Sequence, residues 1–156
     1  DIDILVNNIG DFIYTPLLTT QIEQFDSTIH NNLMSAWYCI KNALPYMQKQ
    51  NFGRIINFGC VSCDQLTARE NTTPYYIAKT GLLMLTRSFA KELIDTNINI
   101  NMISPGVLPT GHSAKNPDIP TVPFDAIASA MLFLIEQKNN NIQGANLEVS
   151  AGWRPA

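Results

Sequence analysis

In Asp3-Ile4-Leu5-Val6-Asn7-Asn8-Ile9-Gly10, an apolar run that begins at Ile2 stops against two asparagines and a glycine. A run that short, closed by turn residues, reads as a buried parallel strand. Arg54-Ile55-Ile56-Asn57-Phe58-Gly59-Cys60 repeats the pattern. Ile98 to Ile103 does so again before Pro105-Gly106, and Ala145 to Val149 supplies a fourth strand. Helical spacing fills the intervals. From Gln21 to Gln50, Ile22, Phe25, Ile29, Leu33, Trp37, Ile40, Leu44 and Met47 recur every three or four positions. That predicts one long amphipathic helix, with Thr19 and Thr20 as N-caps, Glu23 in the first turn and Pro45 kinking or tightening its end. Pro74 opens a second helix that Leu82, Leu83, Leu85, Phe89, Ala90 and Leu93 carry to about Ile94, and Phe124 to Glu136 is a third. Residues 61–73 lack periodicity, and five prolines make 105–123 irregular. Strands alternating with helices predict an α/β fold, a doubly wound parallel sheet of the Rossmann type with helices on both faces.

The 156 residues are 46% hydrophobic and 15% charged, with a net charge of −3. That is too apolar for a disordered chain, and the mild acidity argues against a nucleic-acid partner, which a basic patch would hold. The apolar run Leu132 to Ile135 is far too short to span a membrane. No basic n-region precedes an apolar stretch, and three cysteines do not make a disulfide framework. The expectation is one soluble, cytoplasmic domain over 1–156, although the chain begins at Asp1 directly inside an apolar run.

Open α/β sheets bind ligands outside the carboxyl ends of their strands. Each expected strand ends in an unusual cluster: Asn7-Asn8-Ile9-Gly10, Gly59 to Cys63, Ser104-Pro105-Gly106, and Ser150-Ala151-Gly152. The second and third bracket Tyr75 and Lys79, which stand about one helical turn apart on one face. A phenol titrates near about 10, and a cation within a few ångströms favours phenolate, so the pair suits general acid–base chemistry. The same spacing also describes ordinary neighbours on a helix surface.

Taken in order, these motifs resemble the short-chain dehydrogenase/reductase family over nearly all of the chain, from Asp3 to Gly152. Asn7-Asn8-Ile9-Gly10 is similar to the family's Asn-Asn-Ala-Gly strand end, with Ile9 in place of Ala. Phe25 to Leu33 resembles the helix whose asparagine, here Asn32, holds a water in a proton relay. Gly53 to Asn57 resembles the strand that leads to the catalytic serine. Pro105-Gly106-Val107-Leu108-Pro109-Thr110 resembles the turn whose Val and Thr positions touch the nicotinamide. The resemblance implies NAD- or NADP-dependent interconversion of a small-molecule carbonyl and alcohol. It assigns catalysis to Asn32, Tyr75, Lys79 and a serine. Tyr75 would donate the proton, and Lys79 would lower its pKa and bind the nicotinamide ribose. Asn7, Ile9, Gly10, Tyr75, Lys79, Pro105, Gly106, Val107 and Thr110 would hold the cofactor. It also implies a homodimer or homotetramer built on the helices at 21–50 and 74–94, where Trp37, Tyr38 and Tyr46 would be interface residues.

The chain departs from the pattern at the serine. Counting from Ile55-Ile56-Asn57, the expected Ser-Ser pair falls on Gly59-Cys60, whereas counting back thirteen residues from Tyr75 reaches Ser62. Ser62 is the preferred assignment because a thiol is a weak donor, with Cys60 the alternative. Tyr76 is bulky where the family has a small residue. Cys60-Val61-Ser62-Cys63 has Cys-x-x-Cys spacing, yet Cys39, His30 and His112 offer no second pair of zinc ligands at motif spacing. A redox dithiol is the other reading, and two unrelated small residues the plainest. The sequon Asn71-Thr72-Thr73 reads as chance, and Gly111 to Val122 occupies the place of a substrate lid.

The family's Thr-Gly-x-x-x-Gly-x-Gly phosphate turn is not in the sequence. It belongs to the first of three βα units, so the chain is expected to lack roughly 80–90 residues of the parent domain. The first strand would then form an exposed apolar sheet edge. Two other readings stay open: a truncated, non-catalytic relative that binds a partner, and a pteridine- or enoyl-reductase-like enzyme.

Overall fold

A computed structural model describes residues 1–110 and 116–155. Its four strands are β1 (Ile4–Asn7), β2 (Gly53–Phe58), β3 (Ile98–Pro105) and β4 (Asn146–Val149). They lie in sequence order in one parallel sheet, with Leu5 opposite Ile55, Ile55 opposite Ile100, and Ile103 opposite Leu147. Side chains alternate across a strand, so each face needs its own cover. Ile55 and Ile100 pack with Ile40 and Met47 of helix α2 (Ser35–Gln50) and with Ala90 of α3 (Thr73–Glu92). Ile56 and Ile103 point the other way, into Ile127 and Leu134 of α4 (Phe124–Ile135). The doubly wound parallel sheet is therefore present, with helices on both faces.

The first strand is the apolar sheet edge expected: among the described residues β1 pairs with β2 alone, and Ile4 and Val6 are 47% and 41% exposed on the face opposite Leu5, so it is not the buried strand that its apolar run reads as. Two expectations change. The single long helix is two helices, α1 (Ile22–Ile29) and α2, joined by a π-helical turn at His30–Met34. There the Ser35 N–H reaches back to the His30 carbonyl, one residue further than in an α-helix. Pro45 lies within α2 without ending it. Finally, Thr19 and Thr20 are not the caps. Thr19 closes a short 3-10 turn, and Gln21 caps α1 in a reciprocal box with Gln24.

Polar side chains fix the sheet where it meets the helices. Asn7 Nδ2 donates to Asn57 Oδ1 at 2.8 Å, and Asn57 Nδ2 donates to Thr86 Oγ1 of α3 at 2.9 Å. At the opposite strand end Arg54 is buried, stacked 4.5 Å from the Phe52 ring. Its guanidinium donates to the carbonyls of Gly53 and Asn97 and to the Asn140 side chain. The described residues that follow β3 in the proline-rich segment, 106–110 and 116–123, form no helix or ladder strand and are joined by a bridge from Val107 to Thr121. No helix among the described residues is long and apolar enough to cross a membrane.

Candidate active site

The carboxyl ends of β1, β2 and β3 open onto a cleft of about 1250 Å³. Of the expected residues, Gly10, Asn32, Cys60, Tyr75, Lys79, Pro105, Gly106 and Val107 line it. Tyr75 and Lys79 come from the first turns of α3, which Pro74 starts immediately before them. The Lys79 ammonium sits 5.6 Å from the centre of the Tyr75 ring and donates to the Phe58 carbonyl at 2.7 Å. Burial lowers the Lys79 pKa, opposed by the Cys60 and Cys63 sulfurs and by Asp11.

Tyr75 corrects an expectation. Burial, helped by the neighbouring Cys60, Tyr76 and Cys63, pushes its phenol well above the ordinary value. The Lys79 ammonium, 5.6 Å from the ring centre, does not reverse this. A phenol held protonated is a proton donor, the form that adds a proton to a substrate oxygen.

Asn32 stands in the π-helical turn and is 1% exposed. Its Nδ2 donates to the carbonyls of Asp11 and Thr28 at 2.9 and 3.0 Å. Its Oδ1 has no partner among the described residues although it is buried. Such an oxygen costs free energy unless a water or ligand supplies a proton. Gly10 makes the approach possible, because a Cβ there would overlap Asn32 Oδ1. Gly106 does the same across the cleft, where a Cβ would come within 2.8 Å of Ser150 Cα.

Four expected residues are not brought to the cleft. Ser62 is 0% exposed and is not among the lining residues. Its backbone is left-handed at φ 60°, its amide donates to Glu148 Oε2 at 3.1 Å, and its hydroxyl has no partner among the described residues. The turn at residues 61–64 points Ser62 inwards, leaving Cys60 as the side chain of the pair that faces the cleft. Asn7 is turned to Asn57, and its neighbour Asn8 lines the cleft instead. Ile9 is 75% exposed and Thr110 is exposed, both away from the lining. His112 and the first part of the lid segment 111–122 lie outside the described residues. Among those described, no cluster of three or more His, Cys, Asp or Glu could hold a metal ion.

Tyr76, bulky where a small residue is expected, also lines the cleft and meets the Tyr75 ring edge-on at 5.9 Å. Other lining residues carried no sequence signal: Phe12 meets the Tyr75 ring edge-on at 5.0 Å. Phe12 lies in an aperiodic loop, where nothing in the sequence tells which side chain turns inwards. Trp153 arrives from beyond β4. Glu148 is not a lining residue, but its carboxylate gathers the Ser62 amide, the Ser150 hydroxyl at 3.1 Å and Arg154 at 3.2 Å. That clasp ties the loop after β2 to the end of β4.

A protein-family model described as enoyl-(acyl carrier protein) reductase matches residues 1–154. A 3-oxoacyl-(acyl-carrier-protein) reductase of Haemophilus influenzae is 33% identical over 97% of this chain and 67% of its own length. A D-beta-hydroxybutyrate dehydrogenase of Rhizobium meliloti is 31% identical over the same shares. Among solved structures, a putative gluconate dehydrogenase from Agrobacterium tumefaciens superposes with a TM-score of 0.89 at 28% identity, over 97% of this chain and 65% of that one. A 4-hydroxyisoleucine dehydrogenase complexed with NADH and succinate gives 0.85, also at 28% identity, over 97% and 67%. The chain thus spans about two thirds of the length of the relatives it matches. A matching sheet, a matching order of motifs and relatives that are oxidoreductases agree: this chain belongs to the short-chain dehydrogenase/reductase family.

Proposed function

We propose that the cleft reduces a small-molecule carbonyl to an alcohol, and runs the reverse oxidation, with a nicotinamide cofactor and with Tyr75 as the proton donor. The observation that carries this reading is the meeting of Tyr75, Lys79 and the unpartnered Asn32 Oδ1 in one cleft at the strand ends. The cleft suits the nicotinamide half of the cofactor. Gly10 and Gly106 let its walls close against Asn32 and Ser150, Lys79 offers a cation to a ribose hydroxyl, and Asn32 Oδ1 lacks a donor among the described residues. When bound, a reduced nicotinamide supplies the hydride. The Tyr75 hydroxyl passes its proton to the substrate oxygen and is resupplied past Lys79 through a water on Asn32. Phe12 and Tyr76 both pack edge-on with the phenol ring, which limits how it can turn and so orients its oxygen.

The group that polarises the carbonyl is Cys60 and not Ser62, since only Cys60 lines the cleft. A thiol does this weakly, which leaves most of the work to Tyr75. The relatives named for a 3-oxoacyl group and a hydroxybutyrate suggest the first carbonyl to try, a 3-oxo ester or thioester. The test is a fluorescence titration with NADH and NADPH, followed by reduction of that substrate, read as loss of the reduced-nicotinamide absorbance. Binding with turnover supports the proposal, and the tighter of the two cofactors settles NAD against NADP. Binding without turnover would favour a non-catalytic binding module, and turnover only of a 2-enoyl thioester would favour enoyl reduction.

A further inference from the structure

The turn after β2 holds a second reactive pair, of which carbonyl reduction uses at most one member. Cys60 and Cys63 are both free thiols. The Cys63 N–H donates to the Cys60 carbonyl at 3.1 Å, closing a four-residue turn. Such a turn holds its first and fourth Cα atoms within about 7 Å, and a disulfide spans about 4.4–6.8 Å. Cys63 Sγ lies 3.5 Å from the Ser104 hydroxyl, on the inner side of that turn.

The chemistry of the pair is unequal. The Cys60 thiol, and behind it the Cys60 amide group and Ser104, bring the Cys63 thiol down to about 6 against the opposing effect of burial. The neighbouring Cys63 and burial push Cys60 up, so Cys63 is the more acidic of the two thiols. Cys63 is fully buried, while Cys60 lines the cleft, so a small solute reaches the pair through Cys60.

We propose that Cys60 and Cys63 form a reversible disulfide when a peroxide enters the cleft, and that closing it withdraws the Cys60 thiol from beside Tyr75. From the form in which Cys63 is the thiolate, the Cys60 proton passes to Cys63, and the Cys60 sulfur attacks one peroxide oxygen. The O–O bond breaks, giving a Cys60 sulfenic acid and hydroxide, which takes the proton from Cys63. The Cys63 thiolate then attacks the Cys60 sulfur; the S–S bond forms, the S–O bond breaks and hydroxide leaves. Two thiols lose two electrons, and the peroxide becomes two waters once solvent supplies the last proton.

Trypsin cutting after Arg54 and Arg69 isolates both cysteines in one peptide, free of Cys39. The full chain carrying Cys39→Ser is treated with stoichiometric hydrogen peroxide, alkylated with iodoacetamide, digested and weighed. The expected peptide lacks two hydrogen atoms and carries no alkyl group, and dithiothreitol before alkylation restores two alkylation sites. Alkylation of both cysteines after peroxide, or sulfinic acid on either, overturns the proposal. In Cys63→Ala, dimedone should trap the Cys60 sulfenic acid, and capture on Cys39 alone in the Cys39-containing chain would count against the mechanism. Where carbonyl reduction is measurable, peroxide should lower it by about threefold or more, reversibly, and an unchanged rate alongside the lighter peptide refutes withdrawal of the thiol. The mass readout needs no cofactor or substrate, so it stands or falls apart from the proposed function.

Discussion

Tyr75 carries its proton because desolvation, not a neighbouring charge, dominates its surroundings. The sign for the reduction reaction follows: the working form is the protonated phenol, and raising its pKa extends that form to higher pH. The rate of carbonyl reduction should stay flat through neutral pH and fall only in alkali, where Lys79, lowered by burial, loses its charge before Tyr75 loses its proton. A pH–rate profile of kcat/KM checks this, and a decline centred near neutrality would contradict it. Cys60 sets a second expectation. Replacing its weak donor in Cys60→Ser should raise the reduction rate about fivefold, the worth of roughly one ordinary hydrogen bond. Ser62→Ala should leave the rate within about twofold, because that hydroxyl faces the interior. Steady-state kinetics of the two variants decide the register. The sequence could not, since two residues of slack in an aperiodic loop shift the count from one side chain to the other.

At the scale of elements, the site is assembled where strand ends meet two irregular helix features. Proline at the start of α3 places Tyr75 and Lys79, and the π-helical turn between α1 and α2 projects Asn32 beneath Gly10. Gly10→Ala sets a methyl against the Asn32 amide and should cost about 1–3 kcal/mol of stability, seen as a lowered Tm. It should also cut carbonyl reduction, because Asn32 must move to admit the methyl. A variant of unchanged stability and rate would mean that Asn32 is free to shift. The strands and most helix spans are readable in the sequence, because apolar runs and their Gly, Pro and Asn stops are local signals. The π-helical turn is not: Ile22 to Met47 keep a helical spacing across it, so hydrophobic periodicity passes through the extra residue unmarked.

At the scale of the whole molecule, apolar surface is exposed on β1 and on α2. β1 offers Ile4 and Val6 to the surface, and α2 shows Trp37, Tyr38 and Tyr46 partly exposed. We expect α2 and α3 to pair copies of the chain, so light scattering after size exclusion should give a dimer or tetramer. Tyr46→Glu should shift that mass towards the monomer. Fold class and family were legible in the order of strand-end motifs, each a short signal that survives without knowledge of the packing. The cleft's depth, the inward turn of Ser62 and the clasp of Glu148 depend on contacts far apart in the chain, such as Ser62 with Glu148, and no local pattern encodes them.

The central claim is that Tyr75 gives the proton in a nicotinamide-dependent reduction. Its most direct test compares the chain with Tyr75→Phe under saturating reduced cofactor, following single-turnover reduction of a 3-oxo ester. Loss of about 10²–10⁴-fold in rate, with cofactor binding retained, is the predicted result. A Tyr75→Phe rate equal to that of the unaltered chain would contradict it.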